Sequence, residues 1–204
     1  MNANININEI FKTYIHSKPE ESAALAEFAV FISKFSGKDL FDRKNFGGHI
    51  TASAMIINAR DSTLLFIKHK GLDRWLQPGG HVDEDDESVL AAALREVNEE
   101  TGIKPQNLNP LSHATDEQMP FDIDTHLIPA KLSKNEPEHY HHDFRFLFIY
   151  RGDNDIVFNI QEATGVKWET LEIAGRDSGF NRSIGKIRAF IGRGVPSREF
   201  LKCH

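Results

Sequence analysis

The stretch that decides the fold is residues 79–103, which read GGHVDEDDESVLAAALREVNEETGI. Two glycines and a run of acidic residues indicate a turn and a loop at its start. Apolar residues then recur at helical spacing, so the sequence predicts a helix over residues 87–101. Gly102 follows directly, and glycine commonly ends a helix because it adopts the left-handed backbone conformation at little steric cost.

The polar side of this helix carries three glutamates. At about 100° of rotation per residue, Glu96, Glu99 and Glu100 lie within one arc of about 100°. Like charges at this spacing destabilise a helix by roughly a few tenths of a kcal/mol, so a bound cation would explain the cluster. Carboxylate oxygens suit Mg²⁺ or Mn²⁺ better than zinc, which prefers His and Cys. A solvated acidic helix face is the other explanation, and the helix alone leaves both open.

The negative charge of the chain is concentrated around this helix. The whole chain has a net charge of −6. Residues 83–100 contain eight acids and one arginine, a net charge of −7, so the rest of the chain is close to neutral. An apolar run interrupts the acids, which argues against a flexible acidic tail. Because the chain lacks a basic stripe, we do not expect it to bind nucleic acid.

The composition is that of a globular protein. Hydrophobic residues make up 40% of the 204 residues, enough for a sizeable core. The single cysteine, Cys203, cannot form an intrachain disulfide. The N-terminal sequence lacks the basic and apolar regions of a signal peptide, and no apolar run approaches the ~20 residues that span a bilayer. We therefore expect a cytoplasmic protein that does not enter a membrane.

The segments around the quoted stretch predict a mixed α/β fold. Residues 8–36 read as helical, with an apolar stripe formed by Leu25, Phe28, Ile32 and Phe35. Strands are predicted at residues 49–58, 63–70, 75–77, 121–130, 143–150 and 165–168, and a closing helix at 183–191. We expect residues 1–48 to form a helical extension and linker, and residues 49–204 a mixed sheet between helices. The stripe must be buried, either on that domain or on a second subunit of a homodimer.

The quoted stretch resembles the Nudix box, Gly-x5-Glu-x7-Arg-Glu-U-x-Glu-Glu-x-Gly-U, in which U is an apolar residue. Residues 87–103 match this pattern throughout. One departure lies at the front, where six residues separate Gly80 from Glu87 instead of five. The resemblance covers about residues 49–192. It implies a Nudix-type α/β/α sandwich around a mixed sheet.

The resemblance also implies a function. Nudix hydrolases depend on Mg²⁺ or Mn²⁺ and cleave a phosphoanhydride bond in a nucleoside diphosphate linked to another group, as in ADP-ribose, nucleotide sugars or nucleoside triphosphates. The alternative is a catalytically silent Nudix module that senses a nucleotide. Intact Arg95, Glu96, Glu99 and Glu100 favour the hydrolase, because degenerate sensors tend to lose these residues.

The resemblance assigns roles within the box. Glu99 and Glu100 are expected to bind the metal, and Glu96 to bind it or to activate water. Gly80 would contribute its backbone carbonyl as a further ligand. Arg95 and Glu87 are expected to orient the carboxylates.

Several residues outside the box are further candidates. His126, His139 and His141 lie on predicted strands, where they could line the substrate cleft, serve a structural or surface role, or bind zinc. We favour the cleft, because no cysteine is available and strands of a Nudix sheet flank the box helix. The histidines would then bind the group beyond the diphosphate. Glu162 is a candidate for an additional carboxylate, although a solvated loop glutamate is the plainer interpretation.

Overall fold

The computed structural model describes residues 6–111, 116–131, 135–152 and 156–192. The helices in these ranges are α1 (Ile7–Ser17), α2 (Ala26–Lys34), α3 (Val89–Thr101), α4 (Leu171–Ala174) and α5 (Asn181–Gly192). The strands are β1 (His49–Asn58), β2 (Leu64–His69), β3 (Arg74–Leu76), β4 (Gly79–His81), β5 (Leu108–Leu111), β6 (Asp122–Ile128), β7 (His139–Tyr150) and β8 (Ala163–Glu169).

The eight strands of the described ranges form one mixed sheet. Its centre is β1, which runs parallel to β7 from the pair His49–His141 to the pair Asn58–Tyr150. The remaining neighbours are antiparallel: β2 and β4 beside β1, β3 and β8 beside β2, and β5 and β6 beside β7. Every residue of β1 is buried, as expected for a strand covered on both faces. The predicted mixed sheet is confirmed.

Helices cover both faces of this sheet. Ile50 and Ala52 of β1 belong to an apolar cluster that includes α3 and the N-terminal helices. Met55 and Ile57 face the other way and pack in a second cluster with Ile184 of α5. The alternation of β1 side chains between the two clusters follows from the two-residue period of a strand. The expected α/β/α sandwich is therefore confirmed.

The N-terminal segment forms two helices instead of the continuous helix expected over residues 8–36. The first ends at Ser17, because Lys18 leaves the helical conformation and Pro19 starts a short 3₁₀ turn. The residues of the apolar stripe nevertheless all pack against the same core cluster. Phe28 is fully buried, and its ring meets the ring of Phe144 edge-on with centroids 5.6 Å apart. The stripe thus packs on the sheet of the same chain, the first of the two arrangements expected.

Polar contacts also fasten the N-terminal segment to the rest of the fold. The hydroxyl of Tyr14 donates a 2.8 Å hydrogen bond to Glu21, and both side chains are buried. Lys186 of α5 donates to Glu21 at 2.5 Å and also to the buried carboxylate of Asp122 on β6. These ion pairs join the N-terminal helices, the sheet and α5.

The box helix begins and ends where local sequence signals place it. The Ser88 side chain caps α3 by accepting a 3.0 Å hydrogen bond from the amide of Ala91. Gly102 ends the helix in the left-handed conformation, with φ of 68°. The observed helix starts two residues after the expected Glu87 and stops at the expected residue.

Candidate active site

The candidate active site lies where β4 meets α3. The amide of Gly79 donates a 2.8 Å hydrogen bond to the carboxylate of Glu100. The Gly80 backbone lies against the carboxylate of Glu96, so close that a Cβ there would be 2.6 Å from Oε1. The carbonyl of His81 accepts a 2.8 Å hydrogen bond from Arg95. Three consecutive residues of β4 thus hold three residues of the helix.

The segment Gly79–His81 is a strand, whereas the sequence predicted a turn and a loop at these glycines. Glycine is required because β4 pairs very closely with β1. A Cβ on Gly79 would lie 2.4 Å from the Cβ of Ser53, and its φ of 153° is one that other residues rarely adopt. Strand pairing therefore brings the backbone of β4 up to the glutamates.

Arg95 organises the carboxylates of this site. Its Nε and Nη2 atoms bind the two oxygens of Asp86 at 3.0 and 2.9 Å. Its Nη1 atom binds Glu96 at 3.0 Å and Glu99 at 3.2 Å. The side chain of Asp86 is buried, so this two-point ion pair is largely protected from solvent. Arg95 therefore has the position expected of a residue that orients the glutamates.

The partner of Arg95 is Asp86, and not Glu87 as expected from the sequence. Glu87 has an exposed side chain, whereas Asp86 is buried beneath the arginine. Five residues separate Gly80 from Asp86, the spacing that the Nudix pattern has between its glycine and its first glutamate. The additional residue therefore lies between Asp86 and Arg95. Counting forward from the glycine, instead of backward from the arginine, would have identified Asp86.

The carboxylates form an anionic cluster in which Glu100 is buried and Glu96 is partly buried. Burial raises the pKa of Glu100 to about 8; the Gly79 hydrogen bond opposes this rise, and the charges of Glu96 and Glu162 add to it. Burial likewise raises the pKa of Glu96, against the effect of Arg95. Glu99 is half exposed. Glu162, which the sequence suggested as an additional carboxylate, is an exposed residue just before β8, and its charge contributes to the raised pKa of Glu100.

This donor set fits a hard divalent cation. It consists of carboxylate oxygens that repel one another, and this repulsion adds to the effect of burial in raising the pKa of Glu100. Oxygen ligands of this kind are those that Mg²⁺ and Mn²⁺ take in proteins. The missing side chain of Gly80 leaves the space that the carboxylate of Glu96 occupies.

A second cluster, of histidines, lies on the other side of β4. His49, His81 and His141 have ring nitrogens that all lie within 4.8 Å of one another. His126 and His139 border them, with ring centroids 5.8 and 5.2 Å from that of His141. The structure therefore brings together the three histidines singled out in the sequence and adds His49 and His81.

The three inner histidines are neutral at neutral pH. Burial lowers the pKa of His49 to about 4, of His81 to about 3 and of His141 to about 2. The nearby charge of Arg43 and the neighbouring rings lower the pKa of His81 further. Neutral imidazoles keep a lone pair on one nitrogen and a proton on the other, so each can accept and donate one hydrogen bond.

Asp143, next to the histidines on β7, accepts four hydrogen bonds from protein donors, three of them at Oδ2. Its carboxylate accepts hydrogen bonds from Thr51 at 3.1 Å, Ser53 at 2.7 Å, Gln77 at 3.1 Å and Arg145 at 3.1 Å. All of these distances are ordinary hydrogen bonds. Asp143 therefore links β7 to β1 and to Gln77, which follows β3, beneath the histidine cluster.

Fold and site together define a class of protein: a Nudix domain, in which a glutamate-bearing helix meets a glycine-rich strand on a mixed sheet. Residues 48–187 match the NUDIX domain family, so this chain belongs to it. A probable DHNTP pyrophosphohydrolase of Lactococcus lactis subsp. cremoris is 37% identical over 98 residues, 48% of this chain and 52% of that protein. The chain spans between 41% and 61% of the length of three curated relatives that it matches.

Solved structures support the same fold. An Ap4A hydrolase of C. elegans, in a binary complex, superposes with a TM-score of 0.56 at 21% identity, over 70% of this chain and 97% of that one. The dihydroneopterin triphosphate pyrophosphohydrolase of E. coli gives a TM-score of 0.56 at 19% identity, over 71% and 96%. At these identities the likeness concerns the fold. Within the described ranges, no helix is both long and apolar enough to cross a bilayer.

Proposed function

We propose that this chain is a metal-dependent pyrophosphohydrolase that cleaves a phosphoanhydride bond in a nucleoside diphosphate linked to another group. The observation that carries the proposal is the gathering of Glu96, Glu99 and Glu100 by Arg95 and β4, with Glu100 buried and Glu96 partly buried. A divalent cation and a bound phosphate would offset the mutual repulsion of these carboxylates. Membership of the NUDIX family supports the same conclusion.

The proposed metal ligands are Glu96, Glu99, Glu100 and the carbonyl of Gly80. A bound Mg²⁺ or Mn²⁺ would neutralise the phosphate charge and polarise the scissile bond. Arg95 fixes the directions of Glu96 and Glu99, and Asp86 fixes Arg95. Catalytic rate depends on this positioning, since carboxylates that move freely would have to be ordered anew in each turnover.

The proton of the attacking water needs an acceptor within this cluster. Glu96 is our candidate for either that base or a further metal ligand. Glu162 is proposed as the additional carboxylate from outside the box, because its charge reaches Glu100. A carboxylate whose pKa is raised towards neutrality is better matched to proton transfer than an ordinary one.

We further propose that histidines bind the part of the substrate beyond the diphosphate. His126, His139 and His141 lie across β4 from the glutamates, and a substrate whose diphosphate lies at α3 would extend past this strand towards them. Imidazoles can hydrogen-bond a ribose or an additional phosphate. We also propose that residues 1–48 are an extension that packs on a Nudix domain of residues 49–204, and that the protein acts in the cytoplasm.

A substrate panel tests the proposed function. ADP-ribose, nucleoside triphosphates, diadenosine polyphosphates, nucleotide sugars and NADH are each incubated with the full chain, with Mg²⁺ and with Mn²⁺. We expect release of a nucleoside monophosphate or of pyrophosphate from at least one of them, and loss of release when the metal is chelated. Tight binding of a nucleotide with no product from any compound would instead support the sensor module and contradict the hydrolase.

A further inference from the structure

The histidine cluster brings one nitrogen from each of three rings close enough together to share a single metal ion. His49, His81 and His141 come from three strands, β1, β4 and β7, which lie side by side in the sheet. The Nε2 atoms of His49 and His81 are 3.1 Å apart, and the nitrogens of all three rings lie within 4.8 Å. Two imidazole nitrogens in a tetrahedral zinc site are about 3.3 Å apart, since each lies about 2.0–2.1 Å from the metal.

We propose that His49, His81 and His141 form a binding site for a borderline divalent transition metal of the zinc type, distinct from the carboxylate site. Three protein nitrogens leave one position of a tetrahedral ion open to water. Hard cations such as Mg²⁺ bind oxygen ligands, so the two clusters select different metals. The metal site shares His141 with the histidines proposed to bind substrate, but metal binding can be measured without the proposed hydrolase activity.

Each of the three rings can supply one ligand atom to a single ion, because a neutral imidazole binds a metal through the lone pair of one ring nitrogen. The sheet also holds the three backbones fixed, because His141 pairs with His49 directly and His81 pairs with Thr51 two residues further along β1.

The surroundings favour nitrogen ligands only. The nearest carboxylate on β7, Asp143, already accepts four hydrogen bonds from protein donors. The bordering His126 and His139 are held by their Nδ1 atoms, at 3.0 Å from Asp124 and 2.8 Å from the carbonyl of Pro137. Such contacts set the orientation of a ring, and they commonly support histidines beside metals.

A metal at this site would act on the carboxylate cluster through β4. His81 lies on the strand whose Gly79 and Gly80 contact Glu100 and Glu96. Tying His81 to His49 and His141 would fix this short strand against its neighbours. The expected role of the metal is therefore to stabilise β4 and, with it, the geometry of the glutamates.

Metal binding by the full chain tests the proposal without reference to activity. The protein is stripped with a chelator and titrated with Zn²⁺ in excess Mg²⁺, and the bound zinc is quantified after equilibrium dialysis. We expect one Zn²⁺ per chain, with an affinity that falls by at least roughly 100-fold in His49→Ala and in His81→Ala, since each removes a ligand. His16→Ala, which removes an exposed histidine of α1, is the matched control and should bind zinc normally. Glu100→Gln should also keep the zinc, because it alters only the carboxylate site.

A second measurement covers the case in which the histidine variants do not fold. X-ray absorption of the zinc-loaded wild-type chain reports the ligand atoms directly. Nitrogen neighbours at about 2.0–2.1 Å with the scattering pattern of imidazole are expected. Absence of stoichiometric zinc, a zinc shell made of oxygens alone, or full zinc affinity in folded His49→Ala and His81→Ala would overturn the proposal.

Discussion

Asp86 and Arg95 form a two-point ion pair, with Nε–Oδ1 and Nη2–Oδ2 distances of 3.0 and 2.9 Å, beneath the glutamates of α3. The same guanidinium group reaches Glu96 and Glu99 with its remaining nitrogen. A planar guanidinium with fixed donors can hold three carboxylates in set directions, which a lysine could not do. The directions of the carboxylates in the anionic cluster therefore depend on Asp86, which lies before the start of α3.

The ion pair predicts different effects for two neighbouring acids. Asp86→Ala removes the buried partner of Arg95 and should lower the free energy of unfolding by about 2–4 kcal/mol, as breaking a buried pair does. Glu87→Ala, the matched control, changes an exposed side chain and should stay within about 0.5 kcal/mol of wild type. Urea unfolding of both variants measures the difference. Equal losses of unfolding free energy in the two variants would contradict the stabilising role of the Asp86–Arg95 ion pair.

The glutamates of α3 are expected to control turnover and not folding. Glu99→Gln and Glu100→Gln should each lower kcat by at least about 100-fold on whichever substrate the wild type hydrolyses. Neither should unfold the protein, since loss of a charge relieves repulsion and a glutamine at position 100 still accepts from the amide of Gly79. Steady-state kinetics with circular dichroism tests this. Near-normal turnover in both variants would exclude them as metal ligands.

His139 is expected to affect substrate binding more than chemistry. His139→Ala should mainly raise KM, with kcat changed by less than about 10-fold, the signature of lost uniform binding. The ring of His139 lies beside that of His141. Its Nδ1 atom donates a hydrogen bond to the carbonyl of Pro137, so its Nε2 atom is the one that would contact a substrate. A fall in kcat as large as that of Glu100→Gln, at unchanged KM, would instead assign a catalytic role to this ring.

The N-terminal helices should be required for a soluble fold. A chain that starts at Gly48 exposes Phe144, which Phe28 covers in the structure, and should aggregate or melt at lower temperature. Phe28→Ala in the full chain should cost about 3–5 kcal/mol, because the ring is fully buried. Val30→Ala, on the exposed side of the same helix, is the control and should cost little. Normal solubility and melting of the shortened chain would show that residues 1–47 are dispensable.

The buried Tyr14 predicts an alkaline dependence of stability. Burial, together with the charges of Asp122 and Glu21, raises its pKa well above the usual value. The stability that it provides is therefore present below a pH of about 10, where an unfolded tyrosine titrates, and is lost as the pH rises further. Tyr14→Phe should be less stable than wild type at pH 7 by about 1.5–3 kcal/mol, for the lost hydrogen bond to Glu21.

The difference in the free energy of unfolding between wild type and Tyr14→Phe should become smaller above a pH of about 10, since the variant has no phenol to ionise. Chemical unfolding at a series of pH values measures this difference. A difference that stays constant to the highest pH at which the protein folds would contradict the buried, uncharged state of the phenol.

Local signals predicted the box helix well and the site around it only in part. Periodicity, Ser88 and Gly102 define α3 because caps and apolar spacing act over a few residues. The histidine site depends instead on the pairing of β1 with β7, which joins His49 to His141 across some ninety residues. No local pattern encodes such a pairing. For the same reason β4 was not predicted, since its glycines take their role from close contact with Ser53 of β1.

The short strand β4 also determines how this region can change during evolution. Side chains alternate along a strand, and β4 presents Gly80 to α3 and His81 to the histidines. A slip of one residue in its pairing with β1 would exchange these faces, directing an imidazole at Glu96 and leaving a glycine among the histidines. An insertion or deletion just before Gly79 would therefore disable both clusters at once. Descendants of this chain are expected to vary in length in other loops and to keep the spacing between β3 and β4.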